Sequence, residues 1–281
     1  MNFLPTLTGS LSQPAADNPT VAIMEAAYAH QGLHYRYINM DVPPALLGDA
    51  VRGVKAQGYV GFNCSLPHKV AVLEYLEGLA ESAQIIGAVN CAVLRDGKWI
   101  GENTDGKGFL HSLTPVTDPA GKHVVILGAG GAARAIAVEL ALAGATRVTI
   151  ANRSWERGEE LADLVASKTP AQSTFLPWGG DLVLPADADV VVNATSIGLA
   201  PDWQARVPVL EDSFLPHYVV ADVIPNPPRT LFLGEAEAHG CRILDGLGML
   251  VNQAATNFEF WTGVKADKDV MRGVLEKVFQ S

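Results

Sequence analysis

The sequence predicts an α/β protein organised as two units. Three observations carry this expectation. Strand-like and helix-like runs alternate from Phe3 to about Glu77, a second alternation starts at Lys122, and the loop-like stretch Thr114–Gly121 separates the two. With 281 residues the chain is long enough for two cores, and a 48% hydrophobic content suits buried α/β sheets.

In order, the first half reads as a strand over Phe3–Thr8, a helix over Pro19–Gln31, a strand over His34–Met40, a helix over Pro44–Lys55, a strand over Tyr59–Ser65 and a helix over His68–Glu77. Ala88–Leu94 and Trp99–Glu102 follow as two short strands, and Asp96-Gly97 between them predicts a tight hairpin. Further strands are expected near residues 123–127, 147–151, 173–176, 189–193, 218–223 and 242–244. The Leu-, Ala-, Phe- and Trp-rich segment after Gly246 reads as two helices.

Composition excludes several functions. A formal net charge of −10 with no Lys/Arg-rich tract argues against a nucleic-acid partner. Cys64, Cys91 and Cys241 are scattered without C-x-x-C spacing, so neither a disulfide framework nor a metal site is indicated, and a reducing cytoplasm is expected. Met1–Pro5 lacks a basic segment followed by a long apolar stretch, and no run approaches the roughly 20 apolar residues of a membrane span. A soluble protein is therefore expected. Nothing marks a dimer seam, which leaves monomer or homodimer.

The run Lys122–Arg134 is an apolar strand that breaks on glycine and opens at once into an alanine-rich helix. This is the pattern of a dinucleotide cradle over Gly128, Ala129, Gly130, Gly131 and Ala132. Gly128 permits the tight turn, Gly130 lets backbone approach a pyrophosphate, and the small Ala133 allows helix and strand to pack. The next strand, Arg147–Ala151, ends in Asn152-Arg153-Ser154, with Arg157 just beyond. An NAD site places a carboxylate there for the ribose 2′-hydroxyl; two guanidiniums and a hydroxyl instead suit a 2′-phosphate, so NADP is expected. The competing reading pairs these arginines with Glu156, Glu159 and Glu160 on a solvated helix start.

Three polar segments stand out where a structural reading expects apolar residues: Asn63–Lys69, Gly87–Asn90 and Gly101–Gly106. Ser65 and Lys69 follow the end of a strand, where α/β sheets open toward ligands. A lysine near a carboxylate such as Asp105 can shuttle a proton.

Taken together, Asn63–Lys69, Gly87–Asn90, Asn103–Gly106, Gly128–Ala132, Asn152–Ser154, Asn193–Gly198 and Asp245–Gln253 resemble, in order, the shikimate dehydrogenase family. The resemblance implies an N-terminal α/β substrate domain completed by C-terminal helices (residues 1–106 and 247–281), a Rossmann NADP-binding domain (107–246) and an active site in the cleft. It implies that Lys69 and Asp105 form the catalytic pair and that Asp105 also holds a substrate hydroxyl. Ser65 stands at a substrate-contacting threonine, and Asn90 and Gln253 match groups that bind ring hydroxyls. Val223, Gly246 and Met249 match positions near the nicotinamide.

Two positions depart from the family pattern. A Ser-x-Ser pair that grips the substrate carboxylate is replaced by Ala16-Asp17-Asn18, leaving Asn18 to offer its amide; an alternative register uses Ser10-Leu-Ser12 as the pair. A substrate-side tyrosine is replaced by Pro225. Other residues have plainer readings: His68 as a capping or packing group rather than a titrating one, Cys64 and Cys91 as core, Phe258 and Trp261 as core rather than a stacking platform, and Asn193–Ser196 as cofactor-crevice lining or a satisfied turn.

The expected activity is NADP-dependent interconversion of a ring secondary alcohol and its ketone, on a small cyclic hydroxy acid. Shikimate and 3-dehydroshikimate lead, which places the reaction in aromatic amino acid biosynthesis. Quinate, an aminated shikimate analogue or another cyclic polyol is the alternative ligand, and a non-catalytic metabolite or nucleotide sensor is the alternative of another class.

Overall fold

The computed structural model describes residues 3–280; Met1 and Asn2, part of the segment read for a leader, lie outside them. The chain divides into one unit of residues 1–104 with 253–281 and a second of residues 105–252.

The first unit is built on β1 (Thr6–Ser12), β2 (Tyr35–Asp41), β3 (Tyr59–Cys64), β4 (Gly78–Leu79), β5 (Cys91–Arg95) and β6 (Lys98–Glu102), in spatial order β2-β1-β3-β5-β6-β4. Because β1 runs parallel to both β2 and β3, the chain needs crossovers, and α1 (Thr20–His30) and α2 (Leu47–Ala56) supply them. The hairpin expectation holds. Arg95 faces Lys98 across a two-residue turn in which Asp96 and Gly97 have φ of 51° and 76°, as the right-handed twist of the strands requires.

The first strand lies later than the apolar run Phe3–Thr8 suggested. Phe3 and Leu4 are 82% and 79% exposed, whereas Thr8 and Ser10 are fully buried. Hydrogen bonds make this burial tolerable: the Thr8 hydroxyl meets the Tyr28 hydroxyl at 2.8 Å, and the Ser10 hydroxyl donates to Asn39 Oδ1 at 2.9 Å. The expected helix over His68–Glu77 is also corrected. It is a single α turn, α3 (His68–Ala71), followed by a 3-10 turn over Val72–Tyr75. Two helices before residue 114 escaped the sequence reading, α4 (Glu81–Ile86) and α5 (Thr104–Leu113).

The second unit carries a sheet of six parallel strands, β7 (His123–Leu127), β8 (Arg147–Asn152), β9 (Gln172–Pro177), β10 (Val190–Asn193), β11 (Val219–Asp222) and β12 (Arg242–Leu244), in order β12-β11-β10-β7-β8-β9. Its central strand is buried on both faces: Val124 and Ile126 join one apolar cluster, Val125 and Leu127 the other. The helices α6 (Gly131–Leu142), α7 (Trp155–Lys168) and α8 (Leu231–Ala238) connect the strands. After Gly246 come the two expected helices, α9 (Gly246–Thr262) and α10 (Lys268–Gln280), and α10 packs against α1 of the N-terminal sheet. Among the described residues, no helix is long and apolar enough to cross a membrane.

Candidate functional site

In the second unit, β7 ends on Gly128, whose φ of +108° and near contact with the Ala194 carbonyl make glycine the residue that fits. A Cβ at Gly130 or Gly131 would meet nothing within 4 Å, and α6 starts at Gly131, so open space lies over the unpaired N–H groups of its first turn. Ala133 is fully buried in the cluster behind. This cradle fits the pyrophosphate of a dinucleotide.

At the tip of β8, the Asn152 amide donates to the Ser154 carbonyl at 2.8 Å and the Ser154 hydroxyl caps α7 by accepting from the Arg157 N–H. That hydroxyl keeps its own proton for another partner. Glu159 is taken by Trp155 Nε1 at 2.9 Å and Glu160 by Arg134 at 3.0 Å. Among the described residues, the guanidiniums of the exposed Arg153 and Arg157 have no hydrogen-bond or ion-pair partner, so the competing pairing with glutamates is not formed. Two guanidiniums stand open where a 2′-phosphate would need them.

Ala129, Val223 and Met249 all pack partly buried against the same apolar cluster. Gly246 has a packing reason beyond the small size expected beside a nicotinamide: a Cβ there would lie 2.4 Å from the Ile224 oxygen and 2.5 Å from the Val223 carbonyl carbon. Asn193 makes a satisfied turn, its Oδ1 accepting from the N–H and hydroxyl of Thr195 at 3.2 and 2.7 Å, and Thr195 in turn lies against Gly128.

The sequence reading missed the role of Asp222. It is 1% exposed and accepts from Asn193 Nδ2, the Thr230 hydroxyl and the Ile224 N–H at 3.1, 2.8 and 3.0 Å. Burial raises its carboxyl to about 6, against the pull of those donors. The signal was present: a single acid closes the apolar strand Val-Val-Ala-Asp.

In the first unit, Ser65 and Lys69 follow β3, with the Ser65 N–H bonded to the Leu11 carbonyl at 3.1 Å. Ser65 is partly exposed, and its hydroxyl makes no hydrogen bond among the described residues. Lys69 is partly buried in α3, and its carbonyl accepts from the Val89 N–H at 2.8 Å. Burial pushes the neighbouring Cys64 thiol up to about 12, against the opposing charge of Lys69, so this cysteine is a core residue and not a nucleophile. His68 is 1% exposed, with Nε2 2.8 Å from the Val42 carbonyl, which makes it a packing group.

Asn90 is the junction of this unit. Its Nδ2 donates to Gln253 Oε1 at 3.3 Å and its Oδ1 accepts from both the N–H and the hydroxyl of Thr104. The structure thus brings into contact Asn90 and Gln253, the two residues that match ring-hydroxyl-binding groups of the family. Asp105 is the next residue after Thr104, in the first turn of α5. Asn18 lies in the loop before α1, its Oδ1 accepting from the Thr20 N–H at 3.0 Å and its Nδ2 donating to the Ser10 hydroxyl at 3.2 Å. Ser10 and Ser12, the alternative hydroxyl pair, are both inside β1 and buried. Pro225 sits partly buried beyond β11. Phe258 stacks on Tyr28 and Trp261 donates to the Ala92 carbonyl at 3.1 Å, so both are core.

Comparison with known proteins agrees with this layout. The model of the shikimate dehydrogenase substrate binding domain matches residues 11–92, that of shikimate/quinate 5-dehydrogenase matches 113–199, and that of the shikimate 5'-dehydrogenase C-terminal domain matches 246–276. The shikimate dehydrogenase (NADP(+)) of Symbiobacterium thermophilum is 44% identical over 95% of this chain and 92% of its own. Among solved structures, the ligand-free 5-ketofructose reductase of Gluconobacter sp. strain CHM43 is 59% identical, covers 99% of this chain and 100% of its own, and superposes with a TM-score of 0.96. A shikimate dehydrogenase in complex with NADP+ is 36% identical over 100% of this chain and 98% of its own, with a TM-score of 0.91.

Proposed function

The chain belongs to the shikimate dehydrogenase family, and on that premise we propose that it is an NADP-dependent oxidoreductase interconverting a secondary alcohol of a polyhydroxylated substrate and the corresponding ketone. The observation that carries this reading is the glycine cradle at Gly128–Ala132 together with the two unpartnered guanidiniums at the tip of β8. Gly128, Ala129, Gly130, Gly131 and Ala132 hold the pyrophosphate, Asn152, Arg153, Ser154 and Arg157 the 2′-phosphate end, and Val223, Gly246 and Met249 the nicotinamide end. Bound NADP supplies or accepts the hydride.

The chain's own residues do the rest. Lys69 exchanges the proton of the reacting hydroxyl, and Asp105 orients the lysine and an adjacent hydroxyl. Asn90, Gln253 and Asn18 fix further hydroxyls through donors and acceptors set by their own hydrogen bonds, and Ser65 through its uncommitted hydroxyl. Three free, buried thiols, Cys64, Cys91 and Cys241, support a reducing cytoplasmic setting, where the chain works as monomer or homodimer.

Shikimate and 3-dehydroshikimate are one candidate substrate pair, because the curated relatives carry that activity in their names. A second reading, reduction of 5-ketofructose, is favoured by the 59% identity to a reductase of that ketone. Purified protein mixed with NADPH and each ketone in turn, followed by the absorbance of the reduced nicotinamide, tests the activity. Oxidation of NADPH by one of them is the expected result. Tight binding of both ligands without oxidation would return the chain to the class of non-catalytic sensors.

A further inference from the structure

Resting on the dehydrogenase reading, we infer that the loop before α1 selects an uncharged polyhydroxy ketone, a keto sugar of the 5-ketofructose kind, and rejects ketones bearing a carboxylate. The loop follows β1, and β3, which leads to Ser65 and Lys69, is the parallel neighbour of β1. Both segments therefore leave the same edge of the sheet, and the Gln13 N–H bonds the Leu66 carbonyl at 3.0 Å between them.

The groups this loop presents are wrong for a carboxylate. The Ser10 hydroxyl has spent its one proton on Asn39 Oδ1 and also accepts from Asn18. Asn39 has spent both amide protons on the carbonyls of Ala15 and Asn18, at 3.2 and 3.0 Å. One N–H of Asn18 remains for a ligand, whereas an anion needs several donors or a cation.

The loop's own segment supplies no free cation. Between Met1 and Val51 the chain has a single Lys or Arg, Arg36, and it is held by Glu25 at 2.9 Å. Two carboxylates flank the loop instead: the exposed Asp17, and Asp41, which accepts from the Ala15 N–H at 3.3 Å. Their field repels a third.

The same groups suit a hydroxyl, which both donates and accepts. Asn18 offers one donor and the second lone pair of Oδ1. The Ser12 hydroxyl, 2% exposed at the end of β1, is buried without a hydrogen-bond partner among the described residues and is a further donor and acceptor at this edge.

The test compares kcat/KM of the unaltered protein for 5-ketofructose and 3-dehydroshikimate with NADPH at low salt. A preference for the keto sugar on the order of 100-fold is expected, residing mainly in KM. Equal or better reduction of 3-dehydroshikimate overturns the inference and leaves the dehydrogenase reading standing; oxidation of NADPH with neither ketone overturns both. Asp17→Lys, a change at an exposed position, is expected to raise kcat/KM for 3-dehydroshikimate roughly 10-fold, an effect that fades with salt. No gain at low salt in a folded variant also overturns the inference.

Discussion

Asn90 Oδ1 accepts two hydrogen bonds from one residue, the N–H of Thr104 at 2.7 Å and its hydroxyl at 3.1 Å. The preceding residue, Val89, holds the carbonyl of Lys69. Two consecutive residues therefore fix the backbone of one proposed catalytic residue and of the residue immediately before the other.

Replacing this junction separates backbone anchoring from simple packing. In Asn90→Ala the Thr104 hydroxyl keeps Asn257 Oδ1, to which it already donates at 2.8 Å, but the buried N–H loses the acceptor it has at 2.7 Å. A loss of roughly 1–3 kcal/mol in denaturant unfolding is expected, together with a fall in kcat. Asn90→Asp keeps the acceptor, and recovery of stability alone in that variant would assign the amide N–H to substrate binding.

Lys69→Ala is expected to lower kcat by about 100- to 10,000-fold, the usual reach of a positioned proton-transfer group. The dissociation constant for NADPH, read by nicotinamide fluorescence, should not change. Full turnover in the variant would remove Lys69 from the mechanism.

The two open guanidiniums make cofactor choice separable from cofactor binding. Arg153→Ala with Arg157→Ala is expected to weaken NADPH by roughly 10- to 100-fold, as lost charge-assisted hydrogen bonds imply, while NADH binding stays constant. Titration of both cofactors against the double variant checks the ratio; equal losses would refute the 2′-phosphate assignment.

At Gly246 a methyl group collides with backbone, which cannot swing aside as a side chain can. Gly246→Ala is expected to cost about 1–3 kcal/mol and to weaken NADP binding, because Val223 and the start of α9 must part. Unfolding with and without saturating NADP distinguishes the two effects through the size of the ligand-induced stabilisation.

Asp222 links stability to pH. Burial raises its carboxyl from 3.8 to about 6, so the folded chain binds the proton more tightly than the unfolded chain. Its favourable contribution is complete below about pH 4 and is lost as pH climbs through about 6, by roughly 3 kcal/mol in all. Asp222→Asn removes that slope. The stability difference between variant and parent, measured from about pH 4 to 7, should change with pH in favour of the variant; a constant difference would show that Asp222 does not titrate in that range.

Much of this was legible along the chain because the groups concerned are local. The glycines of the cradle, the arginines after β8 and the Asp96-Gly97 turn each act within a few residues of themselves, where a spacing pattern can show them. The first strand was legible only in part: Leu7 and Leu11 pack into the core, but Thr8, Ser10 and Ser12 on its alternate face are buried too, and hydropathy cannot anticipate that Tyr28 and Asn39 will satisfy two of them. Asp222 was passed over for a related reason: its partners Asn193 and Thr230 are 29 and 8 residues away.

The amino-acid order by itself determined the α/β class, the glycine-rich turn from β7 into α6, the two arginines after β8 and the family, since periodicity, glycine placement and charge type are properties of short segments. Folding alone decided which polar groups were left with bonds to offer. Asn18, Ser10 and Asn39 consume one another's donors, Asn90 is committed to Thr104 and Gln253, and the guanidiniums of Arg153 and Arg157 have no partner among the described residues. The physical reason is that a hydrogen-bonding group has a fixed number of protons and lone pairs, and only the juxtaposition of distant segments fixes how many remain for a ligand.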